Sequence, residues 1–174
     1  MQRDRIILVG FMGAGKSACG RLLARRLGRC FVETDDMIAA REGRSIPEIF
    51  RRDGEERFRS LEVETLEALR LKSGDVIATG GGFPCRAGRM EALRELGTVI
   101  WLRGRLDELC GRARRSGERP MLAGRTPEDI EALYRAREPY YAQAHLSVDT
   151  TGLGPDQVVA RLLAALREAD AARV

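Results

Sequence analysis

The stretch IILVGFMGAGKS, residues 6–17, decides the fold class of this chain. Its second part, Gly10–Ser17, fits the pattern G-x-x-x-x-G-K-[ST] and directly follows the apolar run Ile6–Val9. A glycine-rich turn between a strand and a helix lets backbone N–H groups and the positive end of the helix face one anion. In this pattern the lysine reaches the β and γ phosphates and the hydroxyl residue binds Mg²⁺. The stretch therefore predicts a nucleoside triphosphate site, with Lys16 and Ser17 as its polar side chains.

Five strand-like runs alternate along the chain with segments that are mostly helical in pattern. The runs are Ile6–Val9, Cys30–Glu33, Val76–Thr79, Val99–Leu102 and Leu146–Asp149. This alternation favours an α/β fold, in which a parallel sheet is covered by helices on both faces. With 174 residues, the chain is long enough for one domain with small appendages.

Glycines and prolines divide the helical segments. The predicted helices of the first half are Gly15–Leu27 with Gly28 as C-cap, Asp35–Arg41, Ile46–Arg52 and Glu55–Leu71. The breaks at Gly43 and Gly54 indicate a mobile subdomain after the second strand. The segment 112–125 is very basic and contains both Gly and Pro. We expect it to be a solvated loop that closes over the phosphate site as a lid, before Thr126 caps the next helix.

Composition narrows the classes of partner. The net charge is +4, but the basic residues are mixed with 26 acidic ones and only 5% of residues are aromatic, which argues against nucleic acid. No apolar run approaches the roughly 20 residues of a membrane span, and the start has no signal-peptide pattern. The four cysteines lack C-x-x-C spacing, so zinc is not expected. We expect a cytoplasmic protein, monomeric because no apolar repeat demands a partner.

Four further clusters carry the residue types that a kinase acceptor site needs. They are Glu33–Asp36, Phe58–Glu62, Gly80–Gly82, and the pair Arg119-Pro120 with Arg137–Tyr140. Taken singly, each has a simpler interpretation. The acids would be an ordinary helix start capped by Thr34, Arg59 and Glu62 would be a surface ion pair, and a lone arginine is usually exposed.

Taken together and in this order, the clusters resemble the shikimate kinase family. The motifs that carry the resemblance are the P-loop, the acid-Thr-Asp stretch from Glu33, Gly-Glu-x-x-Phe-Arg-x-x-Glu at 54–62, the glycine triplet, Arg-Pro-x-Leu at 119–122 and Arg-x-Pro-x-Tyr at 137–141. The resemblance spans nearly the whole chain. It implies a nucleoside-monophosphate-kinase-like fold with strand order 2-3-1-4-5, an acceptor-binding subdomain near 34–61 and a lid near 112–125. It also implies transfer of the γ-phosphoryl group of ATP to the 3-hydroxyl of shikimate.

The resemblance also implies a role for each site residue. Lys16, Asp35 and Arg119 are implied to be catalytic, and Asp35 also binds ring hydroxyls of shikimate. Arg59 and Arg137 are implied to hold the carboxylate, with the Gly81 backbone beside it. The nucleotide is implied to bind Gly13, Ala14, Gly15, Lys16, Ser17, Ala18, Arg112 and Arg119, with Arg112 against the adenine. Mg²⁺ is implied to bind Ser17, with Glu33 holding its water shell.

Two positions depart from the family pattern. Glu33 stands where members commonly have Asp, which keeps the charge and adds one methylene. Ala18 stands where many members have a second hydroxyl residue, which removes one phosphate contact. Neither change removes an essential group. The residues leave open a kinase of the same fold acting on a nucleoside monophosphate, gluconate or a shikimate-like cyclitol, and also a non-catalytic nucleotide-binding domain.

Overall fold

The structure, a computed structural model, describes residues 5–71, 74–115 and 124–172. Its sheet has five strands: β1 (Arg5–Val9), β2 (Phe31–Glu33), β3 (Val76–Ala78), β4 (Gly97–Arg103) and β5 (Leu146–Asp149). Every neighbouring pair is parallel, and the order is β2-β3-β1-β4-β5. The predicted fold class and strand order are therefore confirmed.

Seven helices connect and cover the strands in the described part of the chain. They are α1 (Lys16–Leu27), α2 (Thr34–Glu42), α3 (Ile46–Arg70), α4 (Arg89–Leu96), α5 (Leu106–Arg115), α6 (Pro127–Tyr141) and α7 (Pro155–Ala171). Consecutive side chains of a strand point to opposite faces of the sheet. Ile7, Leu8 and Val9 are all completely buried in β1, so helices cover both faces of the sheet centre. None of the described helices is long and apolar enough to cross a membrane.

A second, smaller core lies outside the sheet. It consists of Ile38 from α2 together with Ile49, Phe58 and Leu61 from α3, all of them buried. The cluster falls within the segment 34–61 that the resemblance assigns to acceptor binding. This segment therefore packs around apolar side chains of its own.

Glycines mark the helix boundaries that the sequence predicts. Gly28 ends α1 in the left-handed conformation with φ of 64°, as expected for a C-cap. Gly54 lies inside α3 with φ of 79° and ψ of 179°, which is not helical. Thus α3 consists of the two predicted helices, joined at a kink. Thr126 caps α6 by accepting the Asp129 N–H at 3.1 Å, also as predicted.

The segment 112–125 begins differently from the solvated loop that its charge predicts. Helix α5 continues through Arg115, so the first four residues of the segment are helical. The helix continues because Leu109 and Ala113 lie on one helix face and are buried against the P-loop. The charged composition of the segment does not indicate this contact. Residues 116–123, which include Arg119, lie outside the described part of the chain.

Candidate active site

The P-loop follows β1 and ends where α1 begins. Gly10, Gly13 and Gly15 have φ values of 147°, 72° and 86°, all in the region that favours glycine. At Gly13 a Cβ atom would lie 1.9 Å from the Leu109 carbonyl oxygen. No other residue fits this position, because the loop passes directly against the backbone of α5. The resulting turn directs backbone N–H groups and the N-terminus of α1 toward one anion site.

Lys16 lies against this loop. Its Nζ donates hydrogen bonds to the carbonyl oxygens of Gly10 and Phe11, both at 2.9 Å. Both acceptors belong to the P-loop itself, so the ammonium group lies at the anion site. The predicted nucleotide residues Gly13–Ala18 form the end of this loop and the start of α1.

The two predicted metal residues are in direct contact. The Ser17 hydroxyl donates a hydrogen bond to the Glu33 carboxylate. The other Glu33 oxygen accepts from Arg21 Nη2 at 3.0 Å, and the Arg21 guanidinium lies 4.7 Å from the centre of the Phe31 ring. The longer side chain of Glu33 therefore reaches the same hydroxyl that would bind the ion.

These oxygen donors fit Mg²⁺, which prefers hydroxyl, carboxylate, phosphate and water oxygens. Within residues 5–71, 74–115 and 124–172, no group of three or more His, Cys, Asp or Glu side chains could hold a metal ion. An ion at Ser17 would therefore complete its coordination with phosphate and water, as is usual for Mg²⁺ at nucleotide sites.

Asp35 lies in the first turn of α2, next to the glycine triplet. Its Oδ1 is buried and has no hydrogen-bond partner among the described residues. Burial raises the pKa of Asp35 to about 6, although the charge of Lys16 acts in the opposite direction. A Cβ atom at Gly80 would lie 2.6 Å from Oδ1, so only glycine leaves the carboxylate its space.

Thr34 fixes the glycine triplet to α2. Its hydroxyl accepts the Gly80 N–H at 2.9 Å. The simpler interpretation of Thr34 as helix cap is wrong, because Glu33 occupies the N-cap position and Thr34 is the first helical residue. The buried hydroxyl is instead the partner of a backbone group from the next loop.

The two predicted carboxylate-binding arginines lie at one glycine. A Cβ atom at Gly82 would lie 3.4 Å from Arg59 Nη1 and 3.2 Å from Arg137 Nη2. The neighbouring position, Gly81, is equally close to Arg137, with 3.3 Å to Nη1. Arg59 precedes the triplet in the sequence and lies on α3, whereas Arg137 follows it and lies on α6. The fold brings their two guanidinium groups together at the triplet.

Arg59 is held by two acids. Both carboxylate oxygens of Glu62 accept from its Nη1 at 3.1 Å, and Glu55 accepts from Nε and Nη2 at 3.1 and 3.0 Å. The interpretation of Arg59 and Glu62 as a surface pair is wrong, because Glu62 is only 1% exposed. A buried carboxylate needs a charged partner, so this pair fixes the direction of the arginine.

Sequence reasoning assigned no role to two buried residues around the triplet. The Tyr141 hydroxyl donates to the Gly81 carbonyl at 2.7 Å, and its ring is completely buried. Arg89, at the start of α4, lies with its guanidinium carbon 5.2 Å from the centre of the Phe83 ring. Tyr141 is the final residue of the Arg-x-Pro-x-Tyr motif, so the sequence offered a signal for it. Arg89 belongs to none of the motifs.

Arg112, expected at the adenine, is placed by the turn after β5. Its Nη1 donates to Thr150 Oγ1 at 3.0 Å and its Nη2 to the Thr150 carbonyl at 2.7 Å. The helix that carries it abuts the P-loop at Gly13. Arg112 therefore lies at the same end of the sheet as the phosphate site, and Arg119 lies outside the described residues.

Comparison with known proteins identifies relatives over nearly the whole length. The family model for shikimate kinase matches residues 12–167. The shikimate kinase of Moorella thermoacetica is 45% identical over 162 residues, which cover 93% of this chain and 94% of the relative. That of Geobacter sulfurreducens is 46% identical and covers 94% and 91%.

Solved structures agree. The shikimate kinase of Aquifex aeolicus superposes with a TM-score of 0.84 at 37% identity, covering 94% of this chain and 96% of the other. The Acinetobacter baumannii enzyme, in complex with shikimate, gives 0.88 at 34% identity, covering 94% and 93%. A gluconokinase from Sinorhizobium meliloti, at 18% identity and a TM-score of 0.56, shares the fold alone. The chain therefore belongs to the shikimate kinase family.

Proposed function

We propose that this protein is an ATP-dependent shikimate kinase, which transfers the γ-phosphoryl group of ATP to the 3-hydroxyl of shikimate. The observation that carries the proposal is the meeting of Arg59 and Arg137 at Gly82, next to Asp35 and the P-loop. Two guanidinium groups at one glycine suit a carboxylate, which arginine can hold through paired hydrogen bonds. A cyclitol kinase of the same fold would need no such pair, because its acceptor has ring hydroxyls but no anionic group.

Asp35 supplies the polar group for the ring hydroxyls. Its Oδ1 has no partner among the described residues, so it is available to accept a hydrogen bond from a substrate hydroxyl. We propose that Asp35 orients the attacking hydroxyl and accepts its proton. Phosphoryl transfer depends chiefly on positioning and charge stabilisation. The Asp35 carboxylate provides the positioning, from the space that Gly80 leaves beside it.

Lys16 and the P-loop supply the charge stabilisation. The Lys16 ammonium group would face the β and γ phosphates of a bound nucleotide, and backbone N–H groups of the loop face the same site. We propose that Arg119 adds a second cation from the lid, as the resemblance implies. Ser17 and Glu33 would hold Mg²⁺ directly and through water, and the ion would neutralise charge on the transferring group.

The organisation around this site follows the same proposal. The separate apolar core formed by Ile38, Ile49, Phe58 and Leu61 supports an acceptor-binding subdomain near 34–61. We propose a lid near 112–125 that starts from the end of α5.

The large apolar side chains that are exposed in the described ranges are Val63 and Leu71, which supports a monomer. A small-molecule kinase of this kind would act in the cytoplasm.

An acceptor panel tests the proposed substrate. ADP release would be measured with Mg²⁺ and ATP in the presence of shikimate, gluconate, a nucleoside monophosphate, or a cyclitol that has the ring hydroxyls without the carboxylate. We expect shikimate to give a kcat/KM at least about a hundredfold above that of every other acceptor, because it alone in this panel carries a carboxylate for the arginines and hydroxyls for Asp35 on one ring. Equal rates with shikimate and the uncharged cyclitol would reject the role of the arginine pair.

A further inference from the structure

A network of hydrogen bonds joins the turn after β5 to the end of β4. Thr150 is completely buried, and both its N–H and its hydroxyl donate to the Arg103 carbonyl oxygen, at 2.8 and 3.0 Å. The Arg105 N–H donates to the Thr151 hydroxyl at 3.2 Å. The turn 150–153 is therefore held at the carboxyl end of the sheet, where α/β folds place their ligands.

Arg112 extends this network to α5. Besides its two bonds to Thr150, its Nη2 lies 3.5 Å from the Leu153 carbonyl oxygen. Every one of these acceptors belongs to the turn. The guanidinium group therefore has a direction that depends on where the turn lies.

Glu108 closes the network from one helical turn earlier. A single carboxylate oxygen, Oε2, accepts the Gly152 N–H at 2.8 Å and Arg112 Nη2 at 3.3 Å. Gly152 has φ of 69°, so the backbone conformation that presents this N–H favours glycine. One negative charge thus binds a donor of the arginine and a donor of the turn, in addition to the direct bonds that Arg112 forms with the turn.

The same part of α5 supports the phosphate site. A Cβ atom at Gly13 would lie 1.9 Å from the Leu109 carbonyl oxygen and 2.9 Å from the Ala113 backbone nitrogen. Leu109 and Ala113 each follow a member of the network directly. A shift of the turn relative to α5 would therefore change the distance between Arg112 and the P-loop, which is the span that a nucleotide has to fit.

We infer that Glu108 is a positioning residue for the nucleobase end of the nucleotide site, acting through Arg112 and the turn 150–153. The inference rests on the proposed function in that the P-loop binds a nucleotide and Arg112 contacts its base, and it is independent of the acceptor. The interaction needs a carboxylate, because a glutamine has no charge to offer to two donors and adds an N–H₂ group that competes with them.

The test compares a ligand that has a base with one that lacks it. Binding of ADP and of inorganic tripolyphosphate, each with Mg²⁺, would be measured by calorimetry for wild type and Glu108→Gln. We expect the Kd of ADP to rise about five- to tenfold and that of tripolyphosphate to change by less than about twofold, since one charge-assisted contact is lost at the base end only. In kinetics, KM for ATP should rise by the same factor, with kcat and KM for shikimate nearly unchanged.

Glu131→Gln is the matched control. Glu131 also forms an i,i+4 pair with an arginine, Arg135, but both side chains are more than half exposed and belong to α6. Its substitution should leave both affinities unchanged. A double variant, Glu108→Gln with Arg112→Ala, should bind ADP no more weakly than Arg112→Ala alone, because both changes act on one interaction.

Two results would overturn the inference: an unchanged ADP affinity, or an equal loss for ADP and tripolyphosphate, which would place the effect in the P-loop. If Glu108→Gln does not fold, Glu108→Asp serves in its place, since it keeps the charge but shortens the reach. It should show the same selective loss, of about threefold. Failure of the proposed function is recognised separately: the wild-type protein would bind ADP, but it would form no ADP from ATP when shikimate is added.

Discussion

The Tyr141 hydroxyl donates a hydrogen bond to the Gly81 carbonyl oxygen at 2.7 Å, and this bond connects the last turn of α6 to the glycine triplet. Arg137 lies one helical turn before Tyr141. Helix α6 therefore supplies the Arg137 guanidinium for the acceptor and also fixes the glycine triplet beside which this guanidinium lies.

Removal of this hydroxyl should weaken acceptor binding selectively. In Tyr141→Phe the ring still fills its buried space, but the Gly81 carbonyl loses its shorter hydrogen bond and keeps only the one from the Cys85 thiol at 3.5 Å, at a cost of about 1 kcal/mol in the free energy of unfolding. We expect KM for shikimate to rise about three- to tenfold with KM for ATP unchanged, measured by coupled ADP release. Tyr140→Phe removes a hydroxyl from the adjacent residue and should have neither effect. A KM for ATP that rises in parallel would show that the bond supports the whole site.

Arg59→Lys tests the grip on the carboxylate. Lysine keeps the positive charge but cannot form paired, fork-shaped hydrogen bonds, so KM for shikimate should rise by about tenfold or more while ATP binding stays within about twofold. The control is Arg57→Lys on the same helix, because Arg57 instead pairs with Glu42 and Glu64. Unchanged shikimate kinetics in Arg59→Lys would remove this residue from the acceptor site.

Gly80→Ala tests the space around Asp35. The added Cβ would lie 2.6 Å from Oδ1, so the carboxylate has to move away from the position in which it faces the acceptor. We expect kcat to fall about a hundredfold with ATP affinity retained, because positioning accounts for much of phosphoryl transfer. Gly111→Ala is a suitable control: its Cβ would meet only Arg115 Nη1, at 3.5 Å, and the helix α5 should become slightly more stable. A normal kcat in Gly80→Ala would contradict the role of Asp35.

Asp35 also predicts a pH dependence of stability. Its pKa is raised from 3.8 to about 6, so the folded protein binds more protons between these values than the unfolded chain does. Ionisation therefore destabilises the fold as pH rises from about 4 through about 6, and Asp35→Asn should be more stable than wild type by about 3 kcal/mol at pH 8 and about 0.5 kcal/mol at pH 4. Urea unfolding without nucleotide or Mg²⁺ measures both differences. If the difference between Asp35→Asn and wild type is the same at both pH values, burial of the Asp35 charge is not the cause.

Much of the fold was predictable because its signals are local. The strand-P-loop-helix unit is contiguous from Ile6 to Leu27, and the glycines that end or kink helices act on the residues beside them. The strand order and the acceptor residues followed from the order of motifs in the family resemblance. The end of helix α5 was the exception, because its last residues are three arginines and one glycine around Ala113, and this composition does not indicate an apolar face.

The supports of the site were not predictable, because their partners are far apart in the chain. The Thr34 hydroxyl binds a backbone group 46 residues away, the Tyr141 hydroxyl one 60 residues away, and Glu108 one 44 residues away. The Arg-x-Pro-x-Tyr motif includes Tyr141 itself, but a backbone N–H or carbonyl carries no sequence signal, so the motifs do not identify the partners in these pairs. The role of Arg119 stays a prediction from the resemblance.

The P-loop and the arginine pair serve one reaction, and ADP release with and without shikimate tests this most directly. With Mg²⁺ and ATP, the wild-type protein should release ADP about a hundredfold faster or more when shikimate is present, with one ADP formed per shikimate consumed. Lys16→Ala should abolish this difference. ADP release that is the same with and without shikimate would contradict the account.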